Sequence, residues 1–200
     1  IHSGIRIAEE PSEPVEGLPV SYLLFVSTIE PRKNLDALIS ALEILDRRGT
    51  WDGSLVIAGR IGWNAGGTVS RMRTTGCSGR ILHLHYLARP NLVHLYRHAE
   101  IFVLPSFYEG FGFPLLEAMS FGVPCIAAGT SSLPEVGGDA ALYIDPHDPG
   151  TIADAVERLA GDPGLRRTLG EKGRARAAEF RWQQTAAETL GVFRRVAGKS

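Results

Sequence analysis

Apolar runs of strand length alternate with segments of helical period along this chain. Tyr22 to Ser27 (YLLFVS) is an aromatic and β-branched run. Leu35, Leu38, Ile39, Leu42 and Leu45 then recur at offsets of three and four, which is one face of a helix. Asn34 stands where that helix needs an N-cap, and Gly49 where it needs a stop. Ser54 to Ala58 (SLVIA) is the next run. Residues 61–78, rich in Gly and Ser with Arg71 and Arg73 among them, predict a loop and a short helix. Arg80 to Tyr86 (RILHLHY) predicts a third strand. Pro90 suits a first helical turn, and Leu92, Leu95, Tyr96 and Ala99 give the following helix one face. Ile101 to Leu104 (IFVL) is apolar throughout. Pro114 opens a further helix that Gly122 stops. Pro124 to Ala128 and Ala141 to Ile144 read as short strands. Asp148-Pro149 and Asp162-Pro163 each pair a capping carboxylate with a first-turn proline, and Ile152, Ala155, Val156 and Leu159 line the core face of the first helix so started. The remainder, to about Ala197, reads as helices broken near Phe180-Arg181-Trp182.

Strands that are apolar on both faces belong to a parallel sheet covered by helices on both sides. Right-handed crossovers then give an α/β, Rossmann-like, doubly wound domain. In such sheets ligands sit at the carboxyl ends of the strands, which points to the loops 27–34, 59–66, 86–90 and 105–113. Residues 8–19, rich in Glu and Pro, read as a linker or surface loop. The chain has 200 residues, 44% of them hydrophobic and 22% charged, an ordinary globular mixture. Its formal net charge is −1, so nothing in the balance argues for nucleic acid or a charged membrane surface as partner. No apolar run approaches the length of a membrane span, and no leader pattern is present. Cys77 and Cys125 are read as reduced thiols of a cytoplasmic protein. The first residue is Ile1, so a piece of a longer protein is expected.

The segment richest in chemistry is Pro105 to Gly122, PSFYEGFGFPLLEAMSFG. Gly110 and Gly112 allow backbone to approach a ligand closely. Phe113 and Pro114 mark the first helical turn, whose free N–H groups and positive dipole end form an anion site. Glu109 and Glu117 flank that place. Phosphate alone does not call for carboxylates. A ligand that also carries hydroxyl groups does, because an ionised carboxylate accepts strong hydrogen bonds from them. A phosphate flanked by polyols is a sugar nucleotide. The dinucleotide fingerprint G-x-G-x-x-G is missing from the first strand–helix turn, Ser27-Thr28-Ile29-Glu30-Pro31-Arg32-Lys33-Asn34, which disfavours a nicotinamide-dependent oxidoreductase.

Glu109 and Glu117, separated by seven residues within YEGFGFPLLEAM, resemble the E-x7-E motif of retaining glycosyltransferases of family 4 (group 1). FVSTIEPRKNLDALISAL (25–42), LARPNLVHLYRHAEIFVLPS (87–106), GVPCIAAGTSSLPEVGGDAALYIDPHDPGTIADAV (122–156) and FRWQQTAAETLGVFRRV (180–196) are similar to the segments of that family around it, and IHSGI (1–5) is similar to the piece joining its two domains. The resemblance covers nearly the whole chain and is strongest to the mannosyltransferase-like branch of polysaccharide assembly. It implies the C-terminal, donor-binding half of a GT-B glycosyltransferase. Residues 1–20 would form the interdomain linker, 21–180 the donor-binding domain, and 181–200 the C-terminal crossing helix. The acceptor would be held by an N-terminal domain outside this chain, which would also carry any contact with the inner face of the membrane.

The resemblance also implies the roles. Lys33 would clamp the donor diphosphate, a contact worth roughly 1.5–3 kcal/mol. Thr28 stands where the family often carries a second basic residue, and would give that contact a hydroxyl. Arg32 would be structural or peripheral. Glu109 would meet the hydroxyls of the donor sugar, Phe111 and Gly112 would offer backbone N–H groups to the sugar, Phe113 and Pro114 would border the phosphates, and Gly110 would belong to the same donor-binding loop. Glu117 would hold the ribose, and Tyr86 and Leu87 the base. Glu109 and Lys33 are thus the candidate catalytic residues. The donor would be a nucleotide diphosphate sugar, with GDP-mannose suggested by the branch, and the transferred hexose would keep its anomeric configuration. No cofactor and no metal are expected. His83 with His85, and His94 with His98, form pairs without a supporting carboxylate or cysteine. Trp51, Trp63 and Trp182 are expected as core or interface anchors. The rival readings are a sugar-nucleotide epimerase or phosphorylase-like enzyme on the same plan, and a degenerate donor-binding module without activity.

Overall fold

The computed structural model describes residues 1–5 and 10–198. Its centre is a parallel sheet of six strands: β1 (Tyr22–Val26), β2 (Ser54–Ala58), β3 (Ile81–Leu84), β4 (Ile101–Leu104), β5 (Cys125–Ala128) and β6 (Ala141–Ile144). The order across the sheet is β3-β2-β1-β4-β5-β6, the doubly wound arrangement expected from the pattern. Winding reverses between β1 and β4, where Leu23 pairs with Ile101 and Leu24 with Phe102. In doubly wound sheets ligands bind at such a reversal, beyond the carboxyl ends of the flanking strands, here β1 and β4.

Eight α-helices accompany the strands among the described residues: α1 (Leu35–Arg48), α2 (Gly66–Thr74), α3 (Arg89–His98), α4 (Phe113–Ser120), α5 (Leu133–Gly137), α6 (Pro149–Gly161), α7 (Pro163–Ala177) and α8 (Trp182–Val196). One group packs α1 against α2 and α6, and another packs α4 against α5 and α7. The periodic leucines of α1 are all buried, as are Leu23, Leu24, Phe25 and the whole of β4. Burial of a side chain of this size contributes about 1.5–3 kcal/mol, so the apolar strands hold the sheet between its helices. Asp148 and Asp162 cap α6 and α7, accepting from the N–H groups of Gly150 and Leu165 at 2.8 Å.

Several local expectations need correction. Asn34 does not cap α1 with its side chain. Its backbone is left-handed (φ 55°), and its amide reaches elsewhere. The third strand ends at Leu84, so His85 and Tyr86 belong to the loop beyond it. Helix α5 is an addition to the expected elements, because five residues are too few to carry a periodic signal. Trp51 is a core residue, whereas Trp63 and Trp182 are exposed. The linker or loop reading of 8–19 falls partly outside the described residues; over 10–19 there is neither helix nor strand. No helix among the described residues is long and apolar enough to cross a membrane.

The chain's first residues pack beside the start of α8. The Ile5 N–H donates to the Phe180 carbonyl (3.0 Å), and Thr185 Oγ1 donates to the His2 carbonyl (2.7 Å). Gly4 permits this approach, since a Cβ there would stand 2.3 Å from the Trp182 nitrogen.

At the carboxyl end of β2, a Cβ on Gly59 would lie 1.8 Å from the Ser27 carbonyl oxygen. Backbone cannot yield as a flexible side chain can. Gly59→Ala is therefore expected to destabilise the fold by roughly 1–3 kcal/mol, the usual range for overpacking, read as a lowered midpoint in denaturant unfolding.

Candidate functional site

The loop after β1 is shaped by proline and asparagine. Pro31 opens a 3-10 turn, Pro31–Lys33, closed by bonds from the Lys33 N–H to the Glu30 carbonyl (3.0 Å) and from the Asn34 N–H to the Pro31 carbonyl (3.1 Å). Asn34 then enters the left-handed region, which a short polar side chain tolerates. Its buried Nδ2 donates to the carbonyls of Pro105 (3.0 Å) and Pro146 (2.7 Å). The Phe107 N–H donates to the Arg32 carbonyl at 2.9 Å. These bonds tie the loops after β1, β4 and β6 into one floor.

On that floor Lys33 and Glu109 meet. Lys33 Nζ donates to Glu109 Oε1 at 2.7 Å and to Oε2 at 2.8 Å, and Ser106 Oγ adds a bond to Oε1 at 2.8 Å. Both residues are only 6% exposed. Two charges so far from water need each other. An ammonium has three N–H groups, so one remains for an incoming anion. Arg32 approaches the same carboxylate more closely than a peripheral role suggests, with Nη1 3.5 Å from Glu109 Oε2 and Nε 2.5 Å from Glu30 Oε1. Arg32 Nη1 also donates to the Tyr108 carbonyl at 3.3 Å.

Serines fix the loop that carries Glu109. Ser131 Oγ accepts from the Glu109 N–H (3.0 Å), and Ser132 Oγ donates to the carbonyls of Glu109 (2.9 Å) and Phe111 (3.0 Å). Gly112, at φ 99°, turns the chain into α4, where a side chain would strain the backbone. Its carbonyl accepts from the N–H groups of Leu115 and Leu116. The N–H groups of Gly110, Phe111, Gly112 and Phe113 meet no protein acceptor among the described residues. A run of unpaired amides opening a helix is an anion site.

Glu117, on α4, is held by a different set. Arg89 Nη1 donates to its Oε1 at 2.6 Å and Tyr96 Oη to its Oε2 at 3.1 Å. Arg89 turns its other edge to Glu10, with Nε to Oε2 at 2.6 Å and Nη2 to Oε1 at 3.0 Å. These bonds, the one to Glu10 first, push the Arg89 pKa up. Burial first, and then the Glu117 charge, raise the Tyr96 hydroxyl well above its usual range, so it remains a proton donor. Glu117 lines a cavity of about 370 Å³ with Arg89, Phe113, Glu10, Gly4, Ile5 and Trp182. Glu109 is not among the residues that line it; Lys33 and Ser106 hold Glu109, whereas Arg89 and Tyr96 hold Glu117.

The remaining expected residues are placed as follows. Thr28 is exposed on the loop after β1, with its methyl against Gly62, and does not join Lys33. Tyr86 is 70% exposed beyond β3, under the Arg60 guanidinium at 4.6 Å from its ring centroid. Leu87 is partly buried against the core. The Phe111 ring packs on Phe113 and Phe180, and Pro114 fills the first turn of α4. The histidine rings lie against each other within their pairs at tilted angles, and among the described residues no three metal-capable side chains gather. Ser106, Arg89, Tyr96 and Glu10 were missed. Arg89 carried a faint signal, as the cation just before the first-turn Pro90 at a strand's carboxyl end; the others announce themselves only through packing.

The model of the family "Glycosyl transferases group 1" matches residues 8–176, and the chain belongs to that family. It is 36% identical over 193 residues to the O-antigen chain mannosyltransferase B of Escherichia coli, covering 92% of this chain and 51% of that protein. It is 34% identical over 188 residues to a D-inositol 3-phosphate glycosyltransferase of Corynebacterium jeikeium, covering 90% and 45%. The chain thus spans about half the length of these curated relatives. Among solved structures it is similar to sucrose-phosphate synthase from Thermosynechococcus elongatus, with a TM-score of 0.78, 26% identity, and coverage of 90% of this chain and 46% of that one. A glycosyltransferase from Rickettsia africae shares the fold at a TM-score of 0.80 and 17% identity, covering 94% and 50%. The fold class is that of one Rossmann-like half of a GT-B glycosyltransferase.

The buried pair sets a stability test. Lys33→Met leaves the Glu109 charge without its partner, and a loss of roughly 3–5 kcal/mol in denaturant unfolding is expected. Adding Glu109→Gln to that variant removes the stranded charge and is expected to recover most of the loss, a non-additivity that a double-mutant cycle measures.

Proposed function

We propose that this chain is the donor-binding part of a retaining glycosyltransferase that moves a hexose from a nucleotide diphosphate sugar to a hydroxyl acceptor in polysaccharide or glycoconjugate assembly. The observation that carries the reading is the Lys33–Glu109 pair at the sheet's switch point, beside unpaired amides at the start of α4. A phosphate on those amides would receive the free N–H of Lys33 and the positive end of the helix. Glu109 keeps acceptor capacity for sugar hydroxyls beyond its bonds to Lys33 and Ser106. Glu117, on the far side of the first turn, takes the ribose. Thr28, which does not reach Lys33, offers the phosphates a hydroxyl from the loop after β1, and Tyr86 and Leu87 border the base.

In this reading bond cleavage at the anomeric carbon leaves negative charge on the departing diphosphate. Lys33 and the α4 amides stabilise that charge before the reaction begins, which is where fixed dipoles contribute most. No divalent ion is required for that step. Glu109 orients the sugar. GDP-mannose is the donor we propose; relatives named as mannosyltransferases support the mannosyl part of that choice. Residues 1–20 form the linker, 21–180 the donor domain and 181–200 a helix that crosses to a second domain holding the acceptor. We place the protein in the cytoplasm, with any contact with the membrane's inner face made through that second domain.

Isothermal titration of the chain with GDP, UDP and ADP tests the reading. Binding of a nucleoside diphosphate that weakens about tenfold or more in Lys33→Ala, and likewise in Glu117→Ala, is expected. Silence toward all three nucleotides would falsify it and favour a module without a donor. Full-rate hexose transfer by these 200 residues alone would overturn the placement of the acceptor on another domain.

A further inference from the structure

Glu117 is not a free carboxylate awaiting a ligand. One oxygen receives Arg89 and the other Tyr96. A carboxylate offers about four acceptor positions, so two remain, one on each oxygen. A vicinal diol has two hydroxyls to donate, one for each. Direction is then the requirement. A glutamate has three rotatable torsions, and its carboxylate presents both free positions to one ligand only if it is held in one plane.

Arg89 is built to hold it. Its guanidinium is planar and cannot lose its charge at ordinary pH, and it presents donors along two edges. One edge makes two bonds to Glu10, at 2.6 and 3.0 Å, and the remaining nitrogen reaches Glu117 at 2.6 Å. Glu10 comes from the segment before β1, Arg89 from the first residue of α3, and Glu117 from α4. Three separate parts of the chain thus converge on one cation. All three side chains line the same cavity. Tyr96, fully buried and stacked on Phe121, fixes the other oxygen from below.

We propose that Arg89 is a positioning residue that aims Glu117 at the two hydroxyls of the donor ribose, with Glu10 as its anchor. The inference rests on the reading that Glu117 takes the ribose. Arg89 itself need not touch the nucleotide. Three of its five N–H groups are spent on the two carboxylates. Its contribution is to keep Glu117 from turning toward solvent or folding onto the free amides of α4, where a carboxylate would compete with phosphate.

The test measures a ratio, so that a general loss of structure does not imitate the effect. The chain is titrated with GDP, UDP and ADP and with the 2′,3′-dideoxy form of each. For whichever base binds, the unaltered chain is expected to prefer the ribonucleotide by at least about tenfold, since two hydrogen bonds to a charged acceptor are at stake. Glu117→Ala should abolish that preference. Arg89→Ala should reduce it to about twofold while leaving affinity for the dideoxy form nearly unchanged, and Glu10→Gln should reduce it in part. Arg89→Lys keeps the charge but loses the fork, and should fall between Arg89→Ala and the unaltered chain. A preference undiminished in Arg89→Ala overturns the inference while the reading of Glu117 stands. So does an equal loss on both forms, which would mark Arg89 as a support of the fold alone. An unaltered chain that binds both forms equally, or binds none, overturns the reading of Glu117 and the inference with it.

Discussion

A buried lysine and a buried glutamate, 76 positions apart in sequence, neutralise each other at the point where the sheet's winding reverses. Much of the site's arrangement depends on that contact. Either charge alone in such a place would carry the cost of its burial uncompensated. Together they hold the loops after β1 and β4 against one another. The sheet supplies the crevice. The ion pair decides which polar groups line it, and the unpaired amides of α4 supply a complementary patch of positive potential beside it.

The supporting bonds explain how such a pair stays in register without a rigid strand beneath it. Ser106, Ser131 and Ser132 fix the glutamate's loop through its carboxylate, its amide and its carbonyl. On the other flank of the same helical turn, Glu117 is braced by a cation and a phenol rather than by serines. The two acids therefore sit in unlike surroundings. The first lies in a closed ion pair with little solvent, and the second at the wall of an open cavity. Similar residue types are thereby held in different ways, one by a buried ion pair and the other by a cation and a phenol.

Much of this was legible in the sequence where the signal is local. The apolar strands, the leucine face of α1 and the Asp-Pro starts of α6 and α7 follow from period and capping chemistry, and the structure has them in place. The E-x7-E spacing marked the two acids and their helix. What the sequence hid was partnership. Nothing about Ser106 or Tyr96 as letters says that each binds a particular glutamate, because those bonds depend on chain crossings far apart in sequence. Arg32 beside Lys33 was undervalued for the same reason. Asn34 misled for another: asparagine suits both an N-cap and a left-handed turn, and only the neighbouring Pro105 and Pro146 carbonyls decide between them.

Asn34 also bears on how freely this loop can change over generations. The position asks for a backbone that most amino acids refuse and for an amide with both hydrogens spent on carbonyls. Aspartate is the same size but would aim oxygen at oxygen. Glycine accepts the turn but leaves both carbonyls bare, and glutamine overshoots by a methylene. Its permitted alphabet therefore narrows to nearly one letter, and substitutions nearby must be accommodated around it.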